Sequence, residues 1–302
     1  MRIKIFQNDN SKYKIIYIVG PGRSGSTILE ILLSNGKSAF GSGELTQIVD
    51  DGFIKNKKCS CGKNFKECEI WRKLTKKMNF SDKTIKIWKE IQRKIDWHTG
   101  FIRQILNLIS QKEWNIYKDL NRELFSSVHE ITNARFIIDS SKYAGRALAL
   151  WKIFKDDIFF ICLIRSPEGL MSSFQKPNKD EQLPKKPFQV FVYYSFVMLS
   201  LKIISFLIPK SQFLCIHYED LIHSPVKVLS CIEKFCGLNL EKTKEKLKNN
   251  EYFDVGHIVS GNRIRKLGMV KFNPSLGKPT VNNTKEKIFL YCMKIVKIVS
   301  FI

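Results

Sequence analysis

The stretch Lys14–Thr27, KIIYIVGPGRSGST, decides the fold. Its first six residues are a β-branched and aromatic run, which is typical of a strand buried on both faces. Gly20-Pro21-Gly22 ends this run in a turn, and apolar residues then recur at helical spacing as far as Asn35-Gly36, a pair typical of a helix C-terminus. The sequence therefore predicts a strand, a glycine loop and a helix.

The same pattern occurs three more times along the chain. Further strands are predicted at Arg135–Ile138, Ile158–Ile164 and Gln212–His217, each followed by a polar loop and a helix. Strands that alternate with helices imply a parallel sheet, and ligands of such sheets bind beyond the carboxyl ends of the strands. We expect an α/β, P-loop-like three-layer fold, with a central parallel sheet flanked by helices.

The domain organisation expected is a single domain over residues 1–302. A Lys-rich, Cys-containing helical insertion interrupts the alternation at about 52–134, and a basic segment follows at about 266–302. The composition is 44% hydrophobic and 12% aromatic, which excludes a largely disordered chain.

The formal net charge of +23 favours an anionic partner: nucleic acid, an acidic membrane surface or a phosphate-rich cofactor. A well-solvated surface would show the same excess of Lys. No zinc-finger pattern, RNP-type aromatic motif or heptad repeat accompanies the charge, so no specific nucleic-acid partner is expected.

Two segments bear on location. Met1–Tyr13 lacks the apolar core of a signal peptide, so a cytoplasmic location is expected. Phe188–Ile208 is long enough to span a bilayer, but its Gln, Ser and Tyr residues favour a buried helix. The apolar, Lys-containing stretch Lys285–Ile302 leaves peripheral membrane association open.

The loop Gly20–Thr27 has the phosphate-binding spacing G-x-x-x-x-G-x-S/T, with Ser26 where nucleotide triphosphatases carry Lys. Backbone N–H groups and the helix dipole at such a loop favour an anion, whereas the absent Lys argues against ATP or GTP hydrolysis. A purely structural turn is the alternative. The expected phosphate contacts are Gly22, Arg23, Ser24, Gly25, Ser26 and Thr27.

This loop resembles the 5′-phosphosulfate loop of sulfotransferases that use 3′-phosphoadenosine 5′-phosphosulfate (PAPS), especially the branch with Golgi carbohydrate, tyrosylprotein and bacterial enzymes. The family's second motif, an Arg that ends a strand and a Ser eight residues later, matches Arg165 and Ser173 in LIRSPEGLMSSF. GNRIR, with Arg263 and Arg265, resembles the loop that closes over the 3′-phosphate. The resemblance implies PAPS as co-substrate, no required metal, and a hydroxyl-bearing acceptor: a carbohydrate, a lipid or a small metabolite.

Three residues are candidates for catalysis. Glu44 occupies the place of the catalytic glutamate of tyrosylprotein sulfotransferases, which implies a general base for the acceptor hydroxyl. Lys142, with Arg23, is expected to stabilise charge on the oxygen that leaves sulfur. A helix-starting Glu and a surface Lys are the alternatives.

The cysteines form two groups. Cys59, Cys61 and Cys68 resemble a cluster in some bacterial relatives. With a fourth ligand they can bind zinc, but no fourth ligand stands at zinc-finger spacing in the sequence. A redox-sensitive or structural cluster is the alternative. The isolated His217, His223 and His257 are predicted to be structural or minor cofactor contacts. Five other cysteines are expected in the core: Cys162, Cys215, Cys231, Cys236 and Cys292.

Two other function classes remain open beside a PAPS-dependent sulfotransferase. A P-loop nucleotide kinase would turn over ATP with magnesium, although Ser26 counts against it. A non-catalytic basic protein would bind nucleic acid or membrane in a salt-sensitive way, with no preference for 3′-phosphoadenosine nucleotides.

Overall fold

A computed structural model describes residues 12–176, 183–273 and 284–300. The N-terminal residues on which the location prediction rests lie almost wholly outside these ranges. Five parallel strands form the central sheet in the order β2-β3-β1-β4-β5. These strands are β1 (Lys14–Val19), β2 (Ala39–Gly41), β3 (Phe136–Lys142), β4 (Ile158–Ile164) and β5 (Phe213–His217). A separate antiparallel pair comprises β6 (Tyr252–Asp254) and β7 (Met269–Lys271).

The central strand β1 is buried on both faces. Ile15 and Tyr17 belong to one apolar cluster, and Ile16 and Ile18 to another on the opposite side of the sheet. This two-residue alternation is that of an extended strand with a helical layer on each face. The predicted α/β fold with a parallel sheet is therefore confirmed.

Two of the predicted strands, β1 and β4, have the predicted bounds, whereas β3 continues four residues beyond Ile138 as far as Lys142. Strand β2 was not predicted, because three residues at the edge of a sheet carry too short an apolar pattern.

Twelve helices occur in the described ranges. Helix α1 (Ser26–Ser34) follows β1, and a 3₁₀ turn and a π-helical segment, Leu45–Gln47 and Ile48–Ile54, follow β2. The insertion forms α2 (Glu69–Met78), α3 (Asp82–Asp96), α4 (His98–Ile105) and α5 (Gln111–Thr132). The remaining helices are α6 (Ala144–Phe154), α7 (Pro167–Gln175), α8 (Pro187–Leu207), α9 (Tyr218–His223), α10 (Pro225–Cys236), α11 (Glu241–Lys248) and α12 (Thr284–Ser300).

A buried polar network joins the insertion to the sheet. Arg146 of α6 donates from Nε to Asp139 of β3 at 2.8 Å, and from Nη1 to Asp96 of α3 at 3.2 Å and Asn121 of α5 at 3.1 Å. Arg146 and both carboxylates are fully buried. Because the charges are paired and hydrogen-bonded, their burial is tolerated and fixes the helices against β3.

Helix α8 is buried on one side only, contrary to the prediction of a buried helix. Val190, Tyr194 and Met198 pack in the core, whereas Leu199 and Phe206 are exposed. In the described residues it is the one helix long and apolar enough to cross a membrane.

The expectation that five cysteines lie in the core was partly wrong: Cys162 and Cys236 are buried and Cys292 is partly buried, but Cys215 and Cys231 are exposed. The reason is that edge strands and amphipathic helices leave one side to solvent.

Candidate active site

A cavity of about 1250 Å³ lies beyond the carboxyl ends of the strands. Its walls come from the loops after β1, β3 and β4, from the residues after β2, and from the segment 260–266. Segments more than 200 residues apart in the chain therefore meet at the edge of the sheet where ligands of this fold class bind.

The loop between β1 and α1 requires glycine at two positions. Gly20 has φ 153°, and a Cβ there would lie 2.3 Å from the carbonyl oxygen of Leu163. Gly25 has φ 90°, and a Cβ there would lie 2.4 Å from the Tyr218 ring. Glycine is the residue that adopts such backbone angles without strain and leaves room for the neighbouring groups.

Helix α1 begins at Ser26 without a side-chain cap from any described residue. The backbone N–H groups of its first turn therefore have no partner within the helix and favour an anion in the cavity. Five of the six expected phosphate contacts line the cavity, namely Gly22, Arg23, Gly25, Ser26 and Thr27, whereas Ser24 is buried and does not line it. The backbone N–H of Gly22 donates to the Tyr193 hydroxyl at 2.7 Å.

The second predicted motif lies against this loop. Arg23 donates from Nε to the hydroxyl of Ser173 at 3.3 Å, and Arg165 donates from Nη1 to the Arg23 carbonyl at 3.0 Å. The Arg165 guanidinium lies 4.6 Å from the centroid of the Tyr218 ring, a cation–π arrangement. The structure thus brings two guanidinium groups and a hydroxyl together at one end of the cavity.

The segment 261–265 covers the glycine loop, and only one of its two arginines reaches the cavity. The backbone N–H of Asn262 donates to the Thr27 hydroxyl at 3.4 Å. Arg265 lines the cavity and donates to the Lys58 carbonyl at 3.0 Å. Arg263 is exposed and does not line the cavity, and its predicted contact with the 3′-phosphate stays a prediction. Arg263 and Arg265 lie in the same 3₁₀ turn. Because such a helix has three residues per turn, side chains two positions apart point to different sides.

Glu44 and Lys142 face the same cavity and form an ion pair. Lys142 Nζ donates to Glu44 Oε1, and both side chains retain some exposure to solvent, 17% for Lys142 and 16% for Glu44. Lys142 ends β3 with φ 73°, a left-handed conformation that is uncommon for a residue with a Cβ. The candidate base and the candidate cation are thus in direct contact, which their separation of 98 residues does not reveal.

Glu30 of α1 fixes the residues around Gly43 and Ser140, and it was not among the predicted site residues. Its Oε1 accepts from the Gly43 backbone N–H at 2.6 Å, and its Oε2 accepts from the Ser140 hydroxyl at 2.6 Å. Burial raises the pKa of Glu30 to about 8. The available signal was a single acidic residue inside the apolar run STILEILLS.

An aromatic wall lines the cavity beside the ion pair, formed by Trp97, His98, Tyr143, Phe174 and Tyr193. The His98 ring lies 5.0 Å from Tyr143 and 5.5 Å from Tyr193, centroid to centroid. Burial, assisted by the charge of Lys185, lowers the pKa of His98 to about 4, so its imidazole is neutral at pH 7. His98 was not among the predicted site residues, because nothing in the neighbouring sequence indicates a cavity residue.

The three clustered cysteines lie at the rim of the cavity and have a histidine beside them. The ligand atoms of Cys59, Cys61, Cys68 and His257 all lie within 4.8 Å of one another. His257 is therefore not isolated, contrary to the prediction. The fold brings it into contact with Cys68, although the two residues are 189 positions apart in the chain.

The arrangement suits an elongated ligand with two anionic groups. One anion fits the glycine loop with Arg23 and the α1 N-terminus, and a second fits the Arg165 guanidinium and the Ser173 hydroxyl. The Glu44 carboxylate beside this site can accept a proton, and the Lys142 ammonium can stabilise developing negative charge.

Comparisons with known proteins identify a family and a similar fold. The chain matches the model of a family described as the sulfotransferase family over residues 16–242. A sequence search of the curated proteins finds no significant match. The sulfotransferase domain from the Synechococcus PCC 7002 olefin synthase has a similar fold, with a TM-score of 0.51 and 17% identity over 96% of this chain and 97% of that domain. The sulfotransferase domain from the curacin biosynthetic pathway has a TM-score of 0.51 and 16% identity over 93% and 97%. At these identities the two structures establish the fold alone.

Proposed function

The chain belongs to the sulfotransferase family, and we propose that it transfers a sulfuryl group from PAPS to a hydroxyl of a carbohydrate, a lipid or a small metabolite. The observation that carries the proposal is the contact of the glycine loop with Arg165 and Ser173 on one side of the cavity, with the Glu44–Lys142 pair on the same cavity. Bound PAPS supplies an activated sulfuryl group, and the side chains of this chain bind it, orient it and handle the proton.

The donor is held at two places. The backbone N–H groups at the start of α1, with the hydroxyls of Ser26 and Thr27, bind the 5′-phosphosulfate. Arg165 and Ser173 bind the 3′-phosphate, and Arg265 approaches from the loop above. Arginine suits this role because its planar fork of donors matches phosphate oxygens.

Glu44 and Lys142 act in sequence. In the structure the Lys142 ammonium is bonded to one oxygen of Glu44. When the carboxylate accepts the proton of the acceptor hydroxyl, it loses the charge that attracts Lys142. The ammonium is then released to donate to the oxygen that leaves sulfur, with Arg23 nearby on the glycine loop.

The acceptor binds against the aromatic wall. Trp97, Tyr143 and Tyr193 provide large rigid surfaces beside Glu44, and such side chains bind the apolar faces of a ligand at low entropic cost. This wall accommodates a sugar ring, an acyl chain or a small metabolite.

Titration calorimetry with two nucleotides tests the donor. We expect 3′-phosphoadenosine 5′-phosphate (PAP) to bind roughly 10- to 150-fold more tightly than AMP, because a charge-assisted hydrogen bond is worth about 1.5–3 kcal/mol. Equal affinity for the two nucleotides would contradict the assignment of Arg165. Turnover of ATP with magnesium would instead support a kinase, and salt-sensitive binding without nucleotide preference would support a non-catalytic basic protein.

We further propose a cytoplasmic protein that associates peripherally with anionic membranes. Helices α8 and α12 expose Phe206 and Ile298, and Lys287, Lys294 and Lys297 lie on α12 beside the apolar side chains. Flotation with vesicles that contain anionic lipid should recover the protein, and Phe206→Asp with Ile298→Asp should abolish recovery. Equal recovery of both proteins would refute this surface.

A further inference from the structure

The side chains of Cys59, Cys61, Cys68 and His257 converge on one point. In a tetrahedral zinc site, with Zn–S of about 2.3 Å and Zn–N of about 2.0 Å, ligand atoms lie roughly 3.5–3.8 Å apart. His257 Nδ1 lies 3.2 Å from Cys68 Sγ and 3.9 Å from Cys59 Sγ, which brackets that separation. We propose that these four residues form a structural zinc site that fixes the segment 256–265 against the active cavity.

The three cysteines lie on a tight turn and at the start of a helix. The N–H of Cys59 donates to Lys63 O at 2.8 Å, and the N–H of Gly62 donates to Cys59 O at 2.9 Å, which forms a tight turn that carries two of the thiols. Cys68 is the N-cap residue of α2. In the described ranges this is the one cluster of three or more His, Cys, Asp or Glu residues with metal-binding spacing.

The number of converging side chains favours a metal site over a redox pair. A disulfide joins two cysteines only, whereas here a third cysteine and an imidazole lie at the same point, and three thiolates and one imidazole are a complete zinc ligand set. With four protein ligands the site has no open position, so it is structural and takes no part in the transfer.

Hydrogen bonds already align the two segments that the metal would join. Ser60 N–H donates to Ile258 O at 2.9 Å, and Ile258 N–H donates to the Ser60 hydroxyl at 2.8 Å. The Trp71 indole N–H donates to His257 O at 2.8 Å. These bonds hold the imidazole beside the thiols and make the site part of the fold.

The consequence for the active cavity follows from the residues after His257. The Ser260 carbonyl accepts from the Glu44 N–H at 3.4 Å, and the Ser260 hydroxyl donates to Asp51 at 2.9 Å. Asn262 reaches Thr27, and Arg265 reaches Lys58, next to Cys59. The metal would therefore hold the loop over the glycine cradle and the candidate base.

The test is the metal content of the purified chain by plasma mass spectrometry. We expect one zinc ion per chain, loss of zinc in Cys61→Ser and His257→Ala, and full retention in Cys231→Ser, a matched variant of an exposed cysteine outside the cluster. Cys61 is exposed, so its substitution is compatible with folding even if the buried Cys68 is not. Circular dichroism of each variant checks this.

A spectroscopic readout reports on the ligands themselves. After removal of zinc by a chelator, addition of Co²⁺ to the wild-type chain should give the visible absorption of a tetrahedral thiolate site, and His257→Ala should change that spectrum. A metal-free wild type that binds no Co²⁺, a disulfide within the cluster in the isolated protein, or zinc unchanged in both variants would each overturn the proposal.

Discussion

Replacement of Arg165 by Met tests how the cavity recognises its second phosphate. Met keeps an unbranched apolar stem, but it is shorter than Arg and removes the charge and all five N–H donors. In the structure one of these donors, Nη1, is bonded to the Arg23 carbonyl, so only part of the fork is available to a ligand.

The expected loss of affinity follows from that geometry. One charge-assisted hydrogen bond to phosphate is worth about 1.5–3 kcal/mol, which corresponds to roughly a 10- to 150-fold increase in the Kd for PAP. The variant also loses the bond to Arg23 and the cation–π contact with Tyr218. The free energy of unfolding should therefore fall by about 1–3 kcal/mol, which urea denaturation measures separately.

Titration calorimetry with PAP and with AMP, which lacks the 3′-phosphate, isolates the effect. We expect Arg165→Met to weaken PAP strongly and AMP by less than about threefold. Arg103→Ala, which removes an exposed arginine outside the cavity, should bind both nucleotides like the wild type. An equal loss for PAP and AMP, or no loss for PAP, would refute the assignment of Arg165 to the 3′-phosphate.

Three further substitutions test the scaffold of the site. Because the pKa of Glu30 is raised from 4.5 to about 8, the folded state holds a proton that the unfolded chain releases, and the free energy of unfolding falls as pH rises through this range. Glu30→Gln should remove up to roughly 5 kcal/mol of this fall, as measured by urea unfolding at pH 5 and pH 9, and parallel pH profiles for the variant and the wild type would contradict the assignment. Arg146→Met leaves two buried carboxylates without their cation and should cost about 3–5 kcal/mol in the same assay, whereas a cost below about 1 kcal/mol would show that the network contributes little. Gly25→Ala forces a Cβ into the Tyr218 ring at a left-handed φ and should abolish PAP binding in calorimetry, so normal binding would show that the loop has another conformation in solution.

The sheet was largely predictable because its strands are buried on both faces. Lys14–Val19 and Ile158–Ile164 are continuous apolar runs, and such runs identify buried strands. The end of β3 was not predictable, because Asp139 and Ser140 are buried with polar partners outside the strand, Arg146 and Glu30. Apolar periodicity carries no information about such pairings.

The candidate site was predictable where motifs are local. The glycine loop, Arg165 with Ser173, and the polar ends of strands mark the cavity, and the structure brings them together. Contacts between distant segments were not predictable. The bond between Glu44 and Lys142 and the approach of His257 to the cysteines depend on tertiary folding, which spacing in the sequence does not encode.

Transfer of label from ³⁵S-PAPS to the components of a panel of cell extracts tests the central claim most directly. The wild-type chain should produce a labelled acceptor and PAP, whereas Glu44→Gln should produce neither and still bind PAP with an affinity close to that of the wild type. Label transfer by Glu44→Gln at the wild-type rate would contradict Glu44 as the base. A wild type that leaves the label in PAPS with every extract and turns over ATP with magnesium would contradict sulfuryl transfer from PAPS.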